Sequence, residues 1–140
     1  GWIDDSPDSI SFEELQAMID AGDVEFHGRL SDVRPAIMAA SVYVLPSYRE
    51  GTPRTVLEAM AMGRPIVTTN APGCRETVIH GKNGFLVPIK DAGELAEAMF
   101  RFVEMPGLIA EMGKCSRKLV ENKYDVHEVN KVMLREMEIR

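Results

Sequence analysis

Val42-Tyr43-Val44-Leu45-Pro46, then Pro53-Arg54-Thr55-Val56-Leu57-Glu58-Ala59-Met60-Ala61-Met62-Gly63, then Ile66-Val67-Thr68-Thr69: the order of these three segments decides the fold. Residues 42–45 are a compact apolar run, the pattern of a strand buried on both faces, and Pro46 stops it. A helix over residues 53–62 follows, because proline is favoured at a first helical position and Gly63 closes the end. Residues 66–69 then read as a strand again. Strand, helix and strand in this rhythm predict parallel βαβ units and an α/β fold.

Upstream, Phe12, Leu15, Met18 and Ile19 recur at helical spacing. Ser11 or Ser9 would cap that helix, with Glu13 and Glu14 in its first turn. Val24-Glu25-Phe26-His27 alternates and reads as a short strand ended by Gly28, which makes His27 a half-buried strand residue. Leu30, Val33, Ile37 and Ala40 mark a short helix beginning at Ser31 or Asp32.

Downstream, residues 76–79 predict one helical turn, residues 80–84 a turn-rich loop and residues 85–87 a short strand. Asp91 and Glu94 make a capping-box-like start to a helix with Leu95, Met99 and Phe102 on one face. Leu108, Met112, Cys115 and Leu119 mark the next helix, and Val126, Val129, Met133 and Met137 a last one. The nine methionines fall mostly on helical apolar faces, where methionine fills gaps in a core.

A chain of 140 residues can bury one sizeable core, and its 45% hydrophobic and 27% charged residues are those of an ordinary globular protein. A net charge of -6 with scattered basic residues excludes a general nucleic-acid surface. Cys74 and Cys115 have no metal-type spacing and point to a reduced, cytosolic setting. No apolar run reaches the ~18 residues of a membrane span. The chain opens on Gly1-Trp2-Ile3-Asp4-Asp5 and reads as the middle of something longer; Asp4-Asp5 is too small a set for a metal site. No Ser/His/Asp or Cys/His arrangement stands out, and His80 and His127 read as ordinary.

Chemistry concentrates in residues 48–65. Glu50 lies in a Gly/Pro turn at a strand end, in the crevice where open α/β sheets bind ligands. The amides of Arg54 and Thr55 fall at a helix N-terminus, which favours phosphate; Pro53 has no N–H, so the donors must come from its neighbours. Glu58 lies inside the helix, and an ionised carboxylate can clasp the two adjacent hydroxyls of a ribose. Taken alone, the spacing also fits a turn residue and a surface acid.

The surrounding blocks go further. They are Val24-Glu25-Phe26-His27-Gly28-Arg29, Val44-Leu45-Pro46-Ser47-Tyr48-Arg49-Glu50-Gly51, Leu57-Glu58-Ala59-Met60-Ala61-Met62-Gly63-Arg64-Pro65, Gly73-Cys74-Arg75-Glu76 and Gly81-Lys82-Asn83-Gly84-Phe85-Leu86-Val87-Pro88. In this order and spacing the chain resembles the C-terminal domain of family 4-type retaining glycosyltransferases of the GT-B fold, such as bacterial polysaccharide and lipid-carrier sugar transferases. The resemblance implies a Rossmann-like, three-layer α/β/α parallel sheet. It implies a partial donor-binding domain over residues 1–124 and a C-terminal helix over residues 125–140 that would pack toward an N-terminal domain. That domain would bind the acceptor, and family members would be about twice this size.

By the same resemblance, Glu50 is the catalytic carboxylate at the sugar hydroxyls and Glu58 binds the nucleotide ribose. Gly51, Thr52, Arg54 and Thr55 would offer backbone to the sugar and diphosphate. Gly28, Arg29 and Leu30 would frame the nucleobase, with Arg29 a better contact than His27. Glu76 reads as helix-capping or structural, and Arg49, Arg54 and Arg75 as phosphate partners or surface residues.

The nucleotide-diphosphate sugar is then a substrate, and no metal or other cofactor is expected. The implied location is the cytoplasm or the inner face of the membrane. The family's opening strands, in the middle of a 3-2-1-4-5-6 sheet, have no match here, so the strands at residues 24–27 and 42–45 would lack partners and the chain would self-associate. Two other classes stay open: a nucleotide-sugar epimerase or phosphorylase on the same architecture, and a non-catalytic module for nucleotide binding or assembly.

Overall fold

The computed structural model describes residues 1–51 and 53–123. They fall into two units, Gly1–Val33 and a second beginning at Arg34. In the first unit, α1 spans Phe12–Asp20. Ser11 caps it: the Glu14 amide donates to Ser11 Oγ at 3.1 Å, and the Ser11 amide donates to Glu14 Oε2 at 2.9 Å. The Ser11 amide, and then its hydroxyl, hold the Glu14 carboxyl below its ordinary range.

Residues 24–27 form no strand, against the sequence expectation. A strand exists only through its ladder, and the two ladders among the described residues both join other segments. The alternation therefore has no sheet to lie on. Phe26 remains 48% exposed, and His27 is an exposed residue whose Nε2 lies 3.7 Å from Glu25 Oε2, not a half-buried strand histidine.

The second unit opens with α2, Arg34–Ala39. It starts later than Ser31 or Asp32 because Pro35 has no amide to donate back to a preceding turn. Next come β1 (Tyr43–Leu45), α3 (Arg54–Ala61), β2 (Ile66–Thr69), a 3-10 turn (Arg75–Thr77), β3 (Gly84–Val87), α4 (Ala92–Glu104) and α5 (Gly107–Lys123). The strands are parallel in the order β1-β2-β3, with Val44 beside Val67 and Val67 beside Phe85. Strands alternating with helices in a parallel sheet make this a Rossmann-like α/β fold.

Central β2 is buried at all four positions. Its apolar core joins Val67 with Phe85, Val87, Ala98, Phe102 and Met112, and the Phe85 and Phe102 rings meet at a centroid distance of 5.4 Å. Strand β1 is only half-buried, contrary to the two-faced burial expected of it, because it pairs on one side alone among the described residues. Beside it lies an apolar groove of about 540 Å³, lined by Val42, Val44, Met99, Phe100, Val103 and Ile109 among others.

That groove also corrects the reading of two helices. On α4 the buried residues are Ala98 and Phe102, while Met99 faces the groove, 45% exposed. On α5 the buried line is Met112, Gly113, Ser116 and Val120 rather than one through Cys115 and Leu119. Gly113 has a close-approach role: a β-carbon there would meet the Gly63 carbonyl oxygen at 2.1 Å, so α5 reaches the end of α3 only without a side chain. Of the methionines, Met60 and Met112 are core residues, whereas Met18, Met38, Met99 and Met105 are exposed.

Asn83 ties the second unit together from a fully buried position. Its Oδ1 accepts from the Ile79 amide at 2.8 Å and its Nδ2 donates to the Thr77 carbonyl at 3.1 Å. Ser116 of α5 donates to the Asn83 carbonyl at 3.3 Å. The helix expected from Val126, Val129, Met133 and Met137 lies outside the described residues.

Candidate functional site

The C-terminal ends of β1 and β2 set the site. Thr68 Oγ1 donates to the Leu45 carbonyl at 2.8 Å, and Thr69 Oγ1 donates to the Ser47 carbonyl. Two β2 hydroxyls thereby hold the chain as it leaves β1. Ser47 Oγ then donates to Glu50 Oε1 at 2.7 Å, which fixes the carboxylate of this half-buried residue. The Glu50 amide donates to the Pro72 carbonyl at 3.1 Å, so the loop after β1 lies on the loop after β2.

Gly73 makes that contact possible. Its φ is +84°, and a β-carbon would fall 2.0 Å from the Glu50 oxygen and 2.3 Å from that of Gly51. Only glycine fits there.

Helix α3 begins directly after this loop, with Pro53 as N-cap rather than as its first residue. The Pro53 carbonyl accepts from the amides of Val56 at 3.1 Å and Leu57 at 3.3 Å. Proline brings no side-chain acceptor, so the start of α3 has no side-chain cap of its own. Tyr43 reaches this turn from β1, donating its phenol proton to Thr55 Oγ1 at 2.6 Å.

Glu58 is half-buried on α3, and its Oε2 is shielded from solvent. Burial first, with the negative charges of Glu58 and then Glu50 adding to it, pushes the Tyr43 phenol above its ordinary pKa, against a smaller lowering by Thr55. Both carboxylates therefore act on one phenol.

Glu50, Gly51, Arg54, Thr55 and Glu58 thus line one loop and the helix it leads into. Thr52 lies outside the described residues. Gly28, Arg29 and Leu30 belong to the first unit. There the Arg29 guanidinium lies 4.9 Å from the centre of the exposed Trp2 ring, and Leu30 is exposed. Arg49, Arg54 and Arg75 are exposed. Glu76, in the 3-10 turn, uses its carbonyl to accept from Lys123 Nζ at 3.1 Å.

Sequence reasoning gave no role to Tyr43, Ser47, Gly73 or Lys90. Lys90 has its Nζ 5.3 Å from the centre of the exposed Tyr48 ring, placing a cation beside the Glu50 loop. Nothing local to Gly73 tells which backbone approaches it.

Three parallel strands alternating with helices make a Rossmann-like α/β fold, and the solved structures it resembles are glycosyltransferases of the GT-B type. The chain belongs to the glycosyl transferases group 1 family, whose model matches residues 5–105. It is 35% identical over 122 residues to a glycosyltransferase of Haemophilus influenzae, covering 84% of this chain and 34% of that protein. It is 33% identical over 114 residues to N,N'-diacetylbacillosaminyl-diphospho-undecaprenol alpha-1,3-N-acetylgalactosaminyltransferase of Campylobacter jejuni, covering 81% of this chain and 29% of that protein.

Among solved structures, it is similar to Anabaena HepE in complex with UDP-glucose, with a TM-score of 0.74 and 26% identity over 91% of this chain and 36% of that one. The chain spans about a third of the length of these curated relatives, less than the half implied by family members twice its size.

Proposed function

We propose that this chain is the donor-binding part of a retaining glycosyltransferase of the hexosyltransferase type. The reaction moves a sugar from a nucleotide-diphosphate sugar to a hydroxyl acceptor, in polysaccharide or lipid-linked glycan synthesis. The observation that carries this reading is the pair Glu50 and Glu58, set around the start of α3 at the end of β1 in a chain of this family. That the HepE structure holds UDP-glucose supports a nucleotide-sugar ligand.

In the proposed site the ribose hydroxyls donate to the Glu58 carboxylate and the diphosphate lies at the first turn of α3. Backbone groups of Gly51, Arg54 and Thr55 take the sugar and diphosphate. Glu50, held by Ser47, orients the sugar hydroxyls. Catalysis is mainly electrostatic: fixed dipoles and cations stabilise charge as it develops on the departing diphosphate. The scheme uses no metal ion and no other cofactor.

The acceptor site lies in a further, N-terminal domain, and the 140-residue chain alone is inactive and self-associates. No described helix is long and apolar enough to cross a membrane. The location proposed for the enzyme is the cytoplasm or the inner face of the membrane.

An NMR titration with UDP, GDP and ADP tests the reading. Saturable shifts of the Arg54 and Thr55 amides with one nucleotide, abolished in Glu58→Ala, are expected. A folded chain that responds to none of the three would overturn it for this chain.

A further inference from the structure

Tyr43 lies in β1, whereas the residues assigned to the ligand lie in the following loop and in α3. Its hydroxyl nevertheless ends at Thr55, in the first turn of the eight-residue helix α3, 2.6 Å from Oγ1. This contact spans the turn that separates Glu50 from Glu58. At the other end, Glu50 is tied to β2 through Ser47 and Thr69 and to the next loop through Pro72. The Glu50 side of the turn is thus anchored without α3, and the Tyr43–Thr55 bond links the Glu58 side back to β1.

A phenol that stays protonated acts in this bond as donor. Burial and the two carboxylates favour the neutral form, so Tyr43 keeps its proton through the physiological range. Pro53 supplies no side-chain cap, and the bond from Tyr43 ties the Thr55 side chain, in the first turn, to the sheet. The pairing sets where the first turn of α3 sits relative to the strand end, and with it the spacing between the two carboxylates.

We propose that Tyr43 is a positioning residue for the nucleotide-diphosphate ligand: through its hydrogen bond to Thr55 it fixes the first turn of α3, and so Glu58, against the anchored Glu50 loop. This rests on the donor-site reading above. Tyr43 does not touch the ligand; it holds the turn that does.

The test is a double-mutant cycle on the whole chain, with UDP as the probe and calorimetric Kd and thermal midpoint read together. Tyr43→Phe keeps the ring and removes only the hydroxyl, so it should fold and should bind UDP roughly fivefold more weakly, the size of one hydrogen bond. Tyr43→Phe combined with Thr55→Val should bind no more weakly than Thr55→Val alone. Unchanged UDP affinity in Tyr43→Phe, even with a lower midpoint, would make Tyr43 structural only and overturn the inference. Additive losses in the double variant would overturn it as well. Failure of the unaltered chain to bind any of UDP, GDP and ADP is a different result, one that overturns the donor-site reading and takes this inference with it; if GDP or ADP is the one bound, the same cycle is read with that nucleotide.

Discussion

Gly73 lies against Glu50 so closely that a β-carbon on Gly73 would come within 2.0 Å of the Glu50 carbonyl oxygen. The Glu50 amide meanwhile donates to the Pro72 carbonyl at 3.1 Å. The loop carrying the carboxylate therefore has its place fixed by the backbone of another loop. Gly73→Ala should force the two loops apart and also strain a residue at φ +84°. The backbone cost alone is about 1–3 kcal/mol. Urea unfolding should show at least that loss, and an unchanged midpoint would mean the loops are not in this contact.

Asn83 gives a second, independent prediction, away from the site. Its side chain satisfies the part-buried Ile79 amide and the buried Thr77 carbonyl. Asn83→Ala leaves those groups without their partner and should cost about 1–3 kcal/mol. The same unfolding measurement reads it, and a loss under about 0.5 kcal/mol, the range of ordinary surface substitutions, would contradict the network.

Tyr43 predicts a pH dependence. Its folded pKa is raised above the ordinary tyrosine value, by burial first and by Glu58 and Glu50 in addition, against a lowering by Thr55. Below the unfolded pKa both states hold the proton, and the group's contribution is fully present. As pH rises past it, the unfolded state ionises first, and stability falls until the folded phenol also ionises. As pH rises through about 10 and beyond, the chain should lose more thermal stability than Tyr43→Phe does. Parallel curves for the two proteins would contradict the shift.

How far these residues were legible in the sequence depended on the range of the forces involved. Strand β2 and helix α3 could be read locally, since an apolar run and a Pro–Gly-punctuated helix carry their own signals. The Ser11–Glu14 box was equally local. Residues 24–27 misled because alternation describes a strand's faces and says nothing of its partner.

Glu50 and Glu58 were visible through motif blocks, and their chemistry followed from their type. The residues that position them were not. Tyr43 meets Thr55 and Gly73 meets Glu50 only after the strands are laid side by side, so no window along the chain contains either pair. The placement of Met99 failed for the same reason: which face of α4 is covered depends on what stands beside β1.

The apolar groove beside β1 leads to a prediction about association. Phe100 and Val103 are 51% and 69% exposed, next to a strand paired on one side among the described residues. Such an edge with apolar neighbours favours pairing with a second copy. Sedimentation velocity should show concentration-dependent association, reduced by Val103→Lys. A monomer at all concentrations, with one sharp unfolding transition, would refute it.

The most direct measurement is a set of crystal structures of the chain grown with saturating UDP, GDP or ADP. The account predicts ribose hydroxyls within hydrogen-bond distance of the Glu58 carboxylate and the diphosphate at the first turn of α3. A nucleotide bound elsewhere, or an ordered Glu50–Glu58 segment with none of the three on it, would contradict the donor-site assignment.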